Sequence, residues 1–335
     1  MQNESKSIIV SLLILGKALT NFLLDSRMRL IHITDPHLSS LASFSFLTVK
    51  GKRKSGYLSW YRQRRYIHRP EILDRLTQAV HDESPDQILL TGDLIHIGLE
   101  AEMVEAARWL KTLGTPGQVL LIPVNHDNYA PDSLAAMNRH WGEYLPAQET
   151  GIDDYAGAYP VVRTIDGIRL IAVNTSCVTR IFSAEGELGK AQLSRIRKTM
   201  SGPVSHGTGG IPDRSVFTCL LIHHPPLPGM AKQRKALRDA GELKAIIDEQ
   251  QPDLVLYGHI HCNRDTTHGE IRAFCTASAS SALNASYRVF DVEKTDQGWH
   301  CHMRLMSLEN NNNVEAGFKT AAELSWSCPG PHIAG

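Results

Sequence analysis

What most limits how this chain can fold is a series of short apolar runs, each ending in or directly followed by Asp, Asn or His. The runs are RLIHIT (29–34), QILLTG (87–92), VLLIPV (119–124), RLIAVN (169–174), VFTCLLIHH (216–224) and LVLYGH (254–259). They are rich in Val, Ile and Leu with little polar alternation, as expected of strands covered on both faces. Amphipathic segments lie between them, at 71–82, 100–113, 134–145, 190–200 and 234–250. Ile72, Leu76, Ala79 and Val80 form one apolar stripe; Leu237, Leu243, Ile246 and Ile247 form another. This alternation predicts an α/β protein. Later, IRAFCTAS (271–278), SYRVFDV (286–292) and HCHMRLMSL (300–308) follow one another without helices, which predicts antiparallel strands closing a second sheet.

In an open α/β sheet the strand C-termini share one edge, where ligands converge. Here that edge would collect Asp35 and His37, Asp93, Asn125 and His126, His223 and His224, and His259 and His261. A lone Asp-x-His or Gly-Asp is commonly just a loop or turn. Five such motifs at successive strand ends make a shared site the better explanation. Mixed carboxylate, amide and imidazole donors suit Mn²⁺, Fe or Zn²⁺ rather than Ca²⁺.

The order Asp-x-His, Gly-Asp, Asn-His-Asp, His and Gly-His-x-His resembles the calcineurin-like metallophosphoesterases over roughly residues 29–262. The resemblance implies a four-layer α-β-β-α sandwich of two mixed sheets and two divalent metal ions. One ion would be held by Asp35, His37 and His261, the other by Asn125, His223 and His259, with Asp93 bridging. His126 would orient and protonate the leaving oxygen. A hydroxide shared by the ions would attack phosphorus in line, cleaving a phosphodiester or pyrophosphate bond. His224 is an alternative ligand to His223, and His32 reads as a core or supporting histidine. A second class stays open: a metal-poor binding scaffold of the same fold. Retention of every ligand argues against it.

Two positions depart from the family pattern. Val124 stands where the family has glycine, in IPVNHDN (122–128). If φ is positive there, valine costs about 1–3 kcal/mol. If backbone must pass close by, its methyls push Asn125 away, and if φ is negative little changes. Asp127 follows as in the family. His96 stands where some members have an Asp paired with the proton-donating histidine, so any orienting group must come from elsewhere. The Gly-Asp motif also lacks the arginine of the protein phosphatase branch.

Formal net charge is zero, so bulk charge specifies no partner, but the insert 41–70 carries Lys50, Lys52, Arg53, Lys54, Arg62, Arg64, Arg65 and Arg69 without an acidic residue. Tyr57, Trp60, Tyr61 and Tyr66 interleave with these bases. It reads either as a solvated surface hairpin or as a cap over the metal edge, with Lys52, Arg53, Trp60, Arg64 and Arg65 as candidate substrate contacts. Its GYLSW followed by bases resembles the chlamydial-type UDP-2,3-diacylglucosamine pyrophosphatase branch. That implies a nucleotide-linked lipid substrate and an anionic membrane surface; cyclic nucleotide and glycerophosphodiester hydrolysis stay equally open. One local basic patch argues against nucleic acid.

The six cysteines are scattered without a Cys-x-x-Cys pair, which fits a reducing, cytoplasmic setting; the basic insert adds a peripheral position on the inner face of the membrane. Residues 1–27 read as a leader or over-extended start, 28–308 as the catalytic domain, and 309–335 as a loosely held tail.

Overall fold

The computed structural model describes residues 27–38, 41, 44, 46–47, 49–146, 158–177, 179, 183–201, 215–310, 313 and 315–329. Two six-stranded mixed sheets face each other. The first contains β1 (Arg27–Ile33), β2 (Gln87–Leu90), β3 (Val119–Leu121), β10 (Ser286–Thr295), β11 (Gly298–Leu308) and β12 (Phe318–Pro329), in the order β12-β11-β10-β1-β2-β3. The second contains β4 (Val161–Ile165), β5 (Ile168–Ala172), β6 (Phe217–Leu221), β7 (Leu254–Tyr257), β8 (Arg264–His268) and β9 (Ile271–Cys275), in the order β4-β5-β6-β7-β9-β8. Strands β1-β2-β3 and β5-β6-β7-β9 run parallel, which points their C-termini toward a common edge.

Neighbouring side chains on a strand face opposite ways, and both faces here are apolar. Leu30, Leu89, Leu120 and Ile122 pack between the sheets against Leu170, Cys219, Leu256 and Phe274. From the other face of the first sheet, Ile31, Ile33, Ile88 and Leu90 meet α2 (Pro70–Asp82), α3 (Glu100–Leu113) and α4 (Ser133–Trp141). Ile171, Leu220 and Val255 of the second sheet meet α5 (Gly189–Met200) and α6 (Ala240–Gln250). The layers are therefore α-β-β-α. The insert forms α1 (Lys52–Ser59), which runs through a wide π-type turn (Trp60–Arg64) into Arg65–Ile67.

Several expectations are corrected. Only β9 of the late runs enters the second sheet; β10 and β11 extend the first through the free edge of β1, where Leu30 opposes Phe290. Alternation within a strand cannot say which edge it will join. Within the tail, Phe318–Pro329 is not loosely held but is a full strand paired with β11, with Cys301 opposite Trp326 and Met303 opposite Leu324. Leu324, Trp326 and Cys328 recur every second residue and pack into the inter-sheet core, a strand period that reads from sequence as a weak helix. Helix α6 begins only at Ala240, because the preceding Gln233–Lys235 forms a single tight turn. Strands β4 and β8 were not anticipated. Residues 1–26 and most of the 201–214 loop lie outside the described residues. Among those described, no helix is long and apolar enough to cross a membrane, and the six cysteines are free.

Candidate metal centre

The ends of β1, β2, β3, β6 and β7 bring Asp35, His37, Asp93, Asn125, His223, His259 and His261 to one edge. Their backbone is unusual in a consistent way. Asp35, His37, Asp93, His259 and His261 all have positive φ, between 42° and 69°, a region that side chains other than glycine rarely occupy. Such strain persists where surrounding structure over-determines it. Around these residues the neighbouring side chains leave no room. A Cβ on Gly258 would lie 2.6 Å from Asp35 Oδ2, so glycine is required where β7 passes β1.

Ligand atoms of Asp35, His37, Asp93 and His261 lie within 4.8 Å of one another, as do those of Asp93, His223 and His259, so Asp93 belongs to both groups. His37 Nε2 is 3.3 Å from His261 Nε2, and His223 Nε2 is 3.1 Å from His259 Nδ1. His261 Nε2 is 3.0 Å from Asp35 Oδ1, and His223 Nε2 is 3.4 Å from Asp93 Oδ2. Donors about 2.0–2.2 Å from a shared ion would be spaced at roughly these distances.

In His37, His223 and Asp35 the outward atoms are engaged while the inward ones are free. His37 Nδ1 lies 3.2 Å from the Ile95 carbonyl and His223 Nδ1 lies 2.6 Å from the Thr91 carbonyl, so each donates there and turns a bare Nε2 inward. Asp35 Oδ2 accepts from Thr34 Oγ1 at 2.7 Å and from the His259 amide at 2.9 Å. Asp35 Oδ1 and Asn125 Oδ1 are buried without a hydrogen bond. Burial of a polar atom without a partner is costly, and metal ions would satisfy these atoms. Burial opposes protonation of His223, but Asp93 and Asp35 outweigh it and raise the imidazole to about 9. The carboxylates thus call for positive charge among these rings. The residues fit two divalent ions.

A family model described as calcineurin-like phosphoesterase matches residues 28–263. The chain belongs to this family. It is 32% identical over 181 residues to a protein named a probable cyclic nucleotide phosphodiesterase from Synechococcus sp., covering 53% of this chain and 58% of that protein. It is 28% identical over 184 residues to the glycerophosphodiester phosphodiesterase GpdQ of Enterobacter lignolyticus, covering 53% of this chain and 57% of that protein. The chain thus spans little more than half the length of these curated relatives. Among solved structures, one titled as the structure of PhoD aligns with a TM-score of 0.59 at 10% identity, over 90% of this chain and 70% of that one. A purple acid phosphatase from yellow lupin aligns with a TM-score of 0.56 at 11% identity, over 90% and 54% respectively. At such identities these two show the fold alone.

Within this member of the family the histidine doublet is distinguished by geometry. His224 Nδ1 lies 2.7 Å from Thr175 Oγ1 and its Nε2 lies 3.2 Å from the Ala184 carbonyl, so both nitrogens are occupied away from the centre. His32 is likewise bracketed by Thr276 Oγ1 at 2.7 Å and Thr91 Oγ1 at 2.9 Å inside the core. Val124 is not among the residues with positive φ. Its isopropyl group is fully buried between the sheets, and its amide donates to Asp127 Oδ2 at 3.0 Å. Asp127 Oδ1 also accepts the Leu94 amide at 2.8 Å, which ties the loop to the end of β2. Burial, reinforced by Asp93, raises the Asp127 carboxyl to about 8.

His126 Nδ1 lies 2.6 Å from the carbonyl of His96. The orienting group is therefore backbone, and no carboxylate is needed at position 96. The His96 ring stacks on His37, with centroids 5.1 Å apart. Glu102, which sequence reasoning missed, holds this segment from below by accepting the amides of His96 at 2.8 Å and Leu99 at 2.9 Å. Burial, together with the Arg64 guanidinium and against the pull of Asp93, lowers the His126 imidazole to about 4.

The insert helix lies against this edge, with its candidate contacts in unlike environments. Arg53 is committed to Asp132 at 2.8 Å and to the carbonyls of Ile97 and Gly98, so it anchors the insert. Arg65 stacks on Tyr61 and Tyr66. Trp60 is buried beside Leu41, Val49, Ile97 and Tyr129, which argues against its expected place among the substrate contacts. Lys52 donates to Thr179 Oγ1 at 2.8 Å. Arg64 alone of the five reaches a predicted catalytic residue, His126. His68 was also missed. It groups with His37 and His261 as a candidate ligand and lies 3.0 Å from Ser280 Oγ through Nδ1. No motif flags it; only the helix that carries it brings it here.

Proposed function

We propose that this protein is a dinuclear metal-dependent phosphohydrolase that cleaves a phosphodiester bond in a small nucleotide-class or glycerophosphodiester-class substrate. The observation that carries this is the convergence of two ligand groups sharing Asp93, with Asp35 Oδ1 and Asn125 Oδ1 buried and without a hydrogen bond. Two relatives named as phosphodiesterases support the diester class.

Asp35, His37 and His261 would hold one ion, Asn125, His223 and His259 the other, and Asp93 both. When bound, the ions neutralise phosphoryl charge and lower the pKa of water, which favours in-line displacement. The chain's own groups do the rest. Asp127 and the Val124 and Leu94 amides fix the loop that carries Asn125 and His126. The His96 carbonyl holds His126 as the Nδ1–H tautomer, leaving Nε2 to exchange a proton with the leaving oxygen. Mn²⁺ is the proposed metal, with Fe or Zn²⁺ as substitutes. The test is metal content of the purified chain together with Mn²⁺-dependent hydrolysis of bis(p-nitrophenyl) phosphate. Two ions per chain with diester turnover is the expected result; a chain that binds no metal sinks the proposal and leaves the scaffold reading.

A pyrophosphate in a nucleotide-linked lipid is the second substrate reading. It is favoured by the insert's outward side, where Phe46, Leu47, Leu58, Tyr61 and Tyr66 are exposed beside exposed Lys50, Lys54 and Arg62. Apolar side chains interleaved with bases suit an anionic bilayer surface. Co-sedimentation with phosphatidylglycerol vesicles but not with phosphatidylcholine vesicles is the expected result, and no co-sedimentation with either removes the lipid reading.

A further inference from the structure

Lys52, Gly56, Trp60, Arg64 and His68 recur every four residues along the insert. In a regular α-helix a four-residue step drifts by about 40° around the axis. The wider turn at Trp60–Arg64 counters that drift, so the five positions keep one inner face. Contacts follow the pattern. A Cβ on Gly56 would lie 2.6 Å from Ile97 Cγ2 and from Tyr129 Oη, so the helix axis is held hard against the site loops. His68 pairs with Ser281 as an isolated bridge, and the Ala282 amide donates to the Ile67 carbonyl at 2.7 Å, fixing the other end. Arg64, between these two anchors, is delivered to a defined place. Wide turns of this kind are frequent at functional sites.

At that place, one guanidinium nitrogen of Arg64 lies 3.2 Å from His126 Nε2 and 3.4 Å from His126 Nδ1. A donor in line with the Nε2 lone pair would be far from Nδ1. Near-equal distances put the nitrogen over the ring face, so the in-plane lone pair of Nε2 stays open. The other guanidinium donors make no hydrogen bond among the described residues, whereas Lys52, Arg53, Arg65 and Arg69 of the insert are engaged elsewhere. Arg64 is half-buried and feels the charges of Asp93 and Asp35 across the metal edge. A guanidinium with free forked donors, beside His126 and within the field of Asp93 and Asp35, is matched to phosphoryl oxygens.

We propose that Arg64 contacts the substrate's phosphoryl oxygens directly, making the insert helix one wall of the catalytic pocket. The proposal rests on the phosphohydrolase reading above. In binding substrate, the guanidinium keeps its stack on His126 and spends its free donors on the anion, so the leaving-group proton and the phosphoryl charge are handled by adjacent groups.

The experiment uses the full chain loaded with Mn²⁺ and inorganic phosphate as the probe. Phosphate affinity is measured by calorimetry for the native chain, Arg64→Gln, Arg64→Lys and the exposed neighbour Arg62→Gln, with bound Mn²⁺ counted for each. The expected result is a loss of about tenfold or more in phosphate affinity for Arg64→Gln. Arg64→Lys should recover part of it, Arg62→Gln should match the native chain, and two ions should be retained throughout. KM for the diester should rise in step. Unchanged phosphate affinity in Arg64→Gln with a lowered kcat would mean that Arg64 only positions His126, and overturns the proposal. Loss of bound Mn²⁺ in Arg64→Gln but not Arg64→Lys would assign Arg64 to the integrity of the metal centre and overturn it as well. A native chain that binds Mn²⁺ yet neither binds phosphate nor turns over the diester refutes the phosphohydrolase reading itself.

Discussion

Replacing Val124 with glycine restores the family's residue, and the structure says that it should harm the protein. Val124 is fully buried in the inter-sheet core and lacks the positive φ that would reward glycine. Removing a buried isopropyl group forfeits about 1.5–3 kcal/mol of burial, and glycine's freedom adds about 0.5–1 kcal/mol. The expected cost of Val124→Gly is therefore about 2–4 kcal/mol, read from the urea midpoint of the metal-free chain. Mn²⁺ affinity, measured by chelator competition, should not improve, because Asp127 already fixes the loop through the Val124 amide at 3.0 Å. A coupled measurement sharpens the case. Gly92 has φ of 82°, and a Cβ there would lie 2.8 Å from Val124 Cγ1 and 2.8 Å from the Ile122 carbonyl. Gly92→Ala should be strongly destabilising in the native background and less so beside Val124→Gly. The remainder is the cost of left-handed backbone, about 1–2 kcal/mol, plus the carbonyl clash. If Val124→Gly is as stable as the native chain, or binds Mn²⁺ more tightly, the account of this loop is wrong.

Other perturbations give separable outcomes. His126→Ala should lower kcat on the diester by about 10²–10⁴-fold while two ions remain bound, since the role proposed for its side chain is proton transfer and not ligation; loss of metal would contradict that role. Asn125→Ala should weaken Mn²⁺ binding if its buried Oδ1, which has no hydrogen bond, is a ligand as proposed, and an unchanged chelator competition curve would remove Asn125 from the ligand set. His32 is held to about 3 by burial and by the Arg288 guanidinium. The unfolded chain takes up a proton near pH 6.5 and the folded chain does not. This residue therefore contributes stability above that pH and loses it as pH falls toward 3, by about 1.4 kcal/mol per unit. His32→Gln should flatten the urea midpoint's pH dependence by about one proton.

The strand ends were legible in the sequence because parallel strands buried on both faces must be continuous apolar runs, and their polar terminators then stand out. That local grammar specified the α/β class and pointed to Asp35, His37, Asp93, Asn125, His223, His259 and His261 without any coordinate. What it could not decide depends on contacts distant along the chain. His223 and His224 differ only in whether Thr91, or Thr175 and Ala184, stand nearby. The orienting partner of His126 is a carbonyl, and every residue has one, so composition carries no trace of it. His68 and Arg64 enter the site through the pitch of a helix that departs from the regular period. The pairing of β10 with β1 and of β12 with β11 is a contact between segments far apart in the chain, which no local pattern specifies. Sequence thus determined which residues could do the chemistry, because residue type and strand period are local properties. Tertiary structure alone decided which of them face each other, because a hydrogen bond or a shared ion is satisfied by position in space and not by position in the chain.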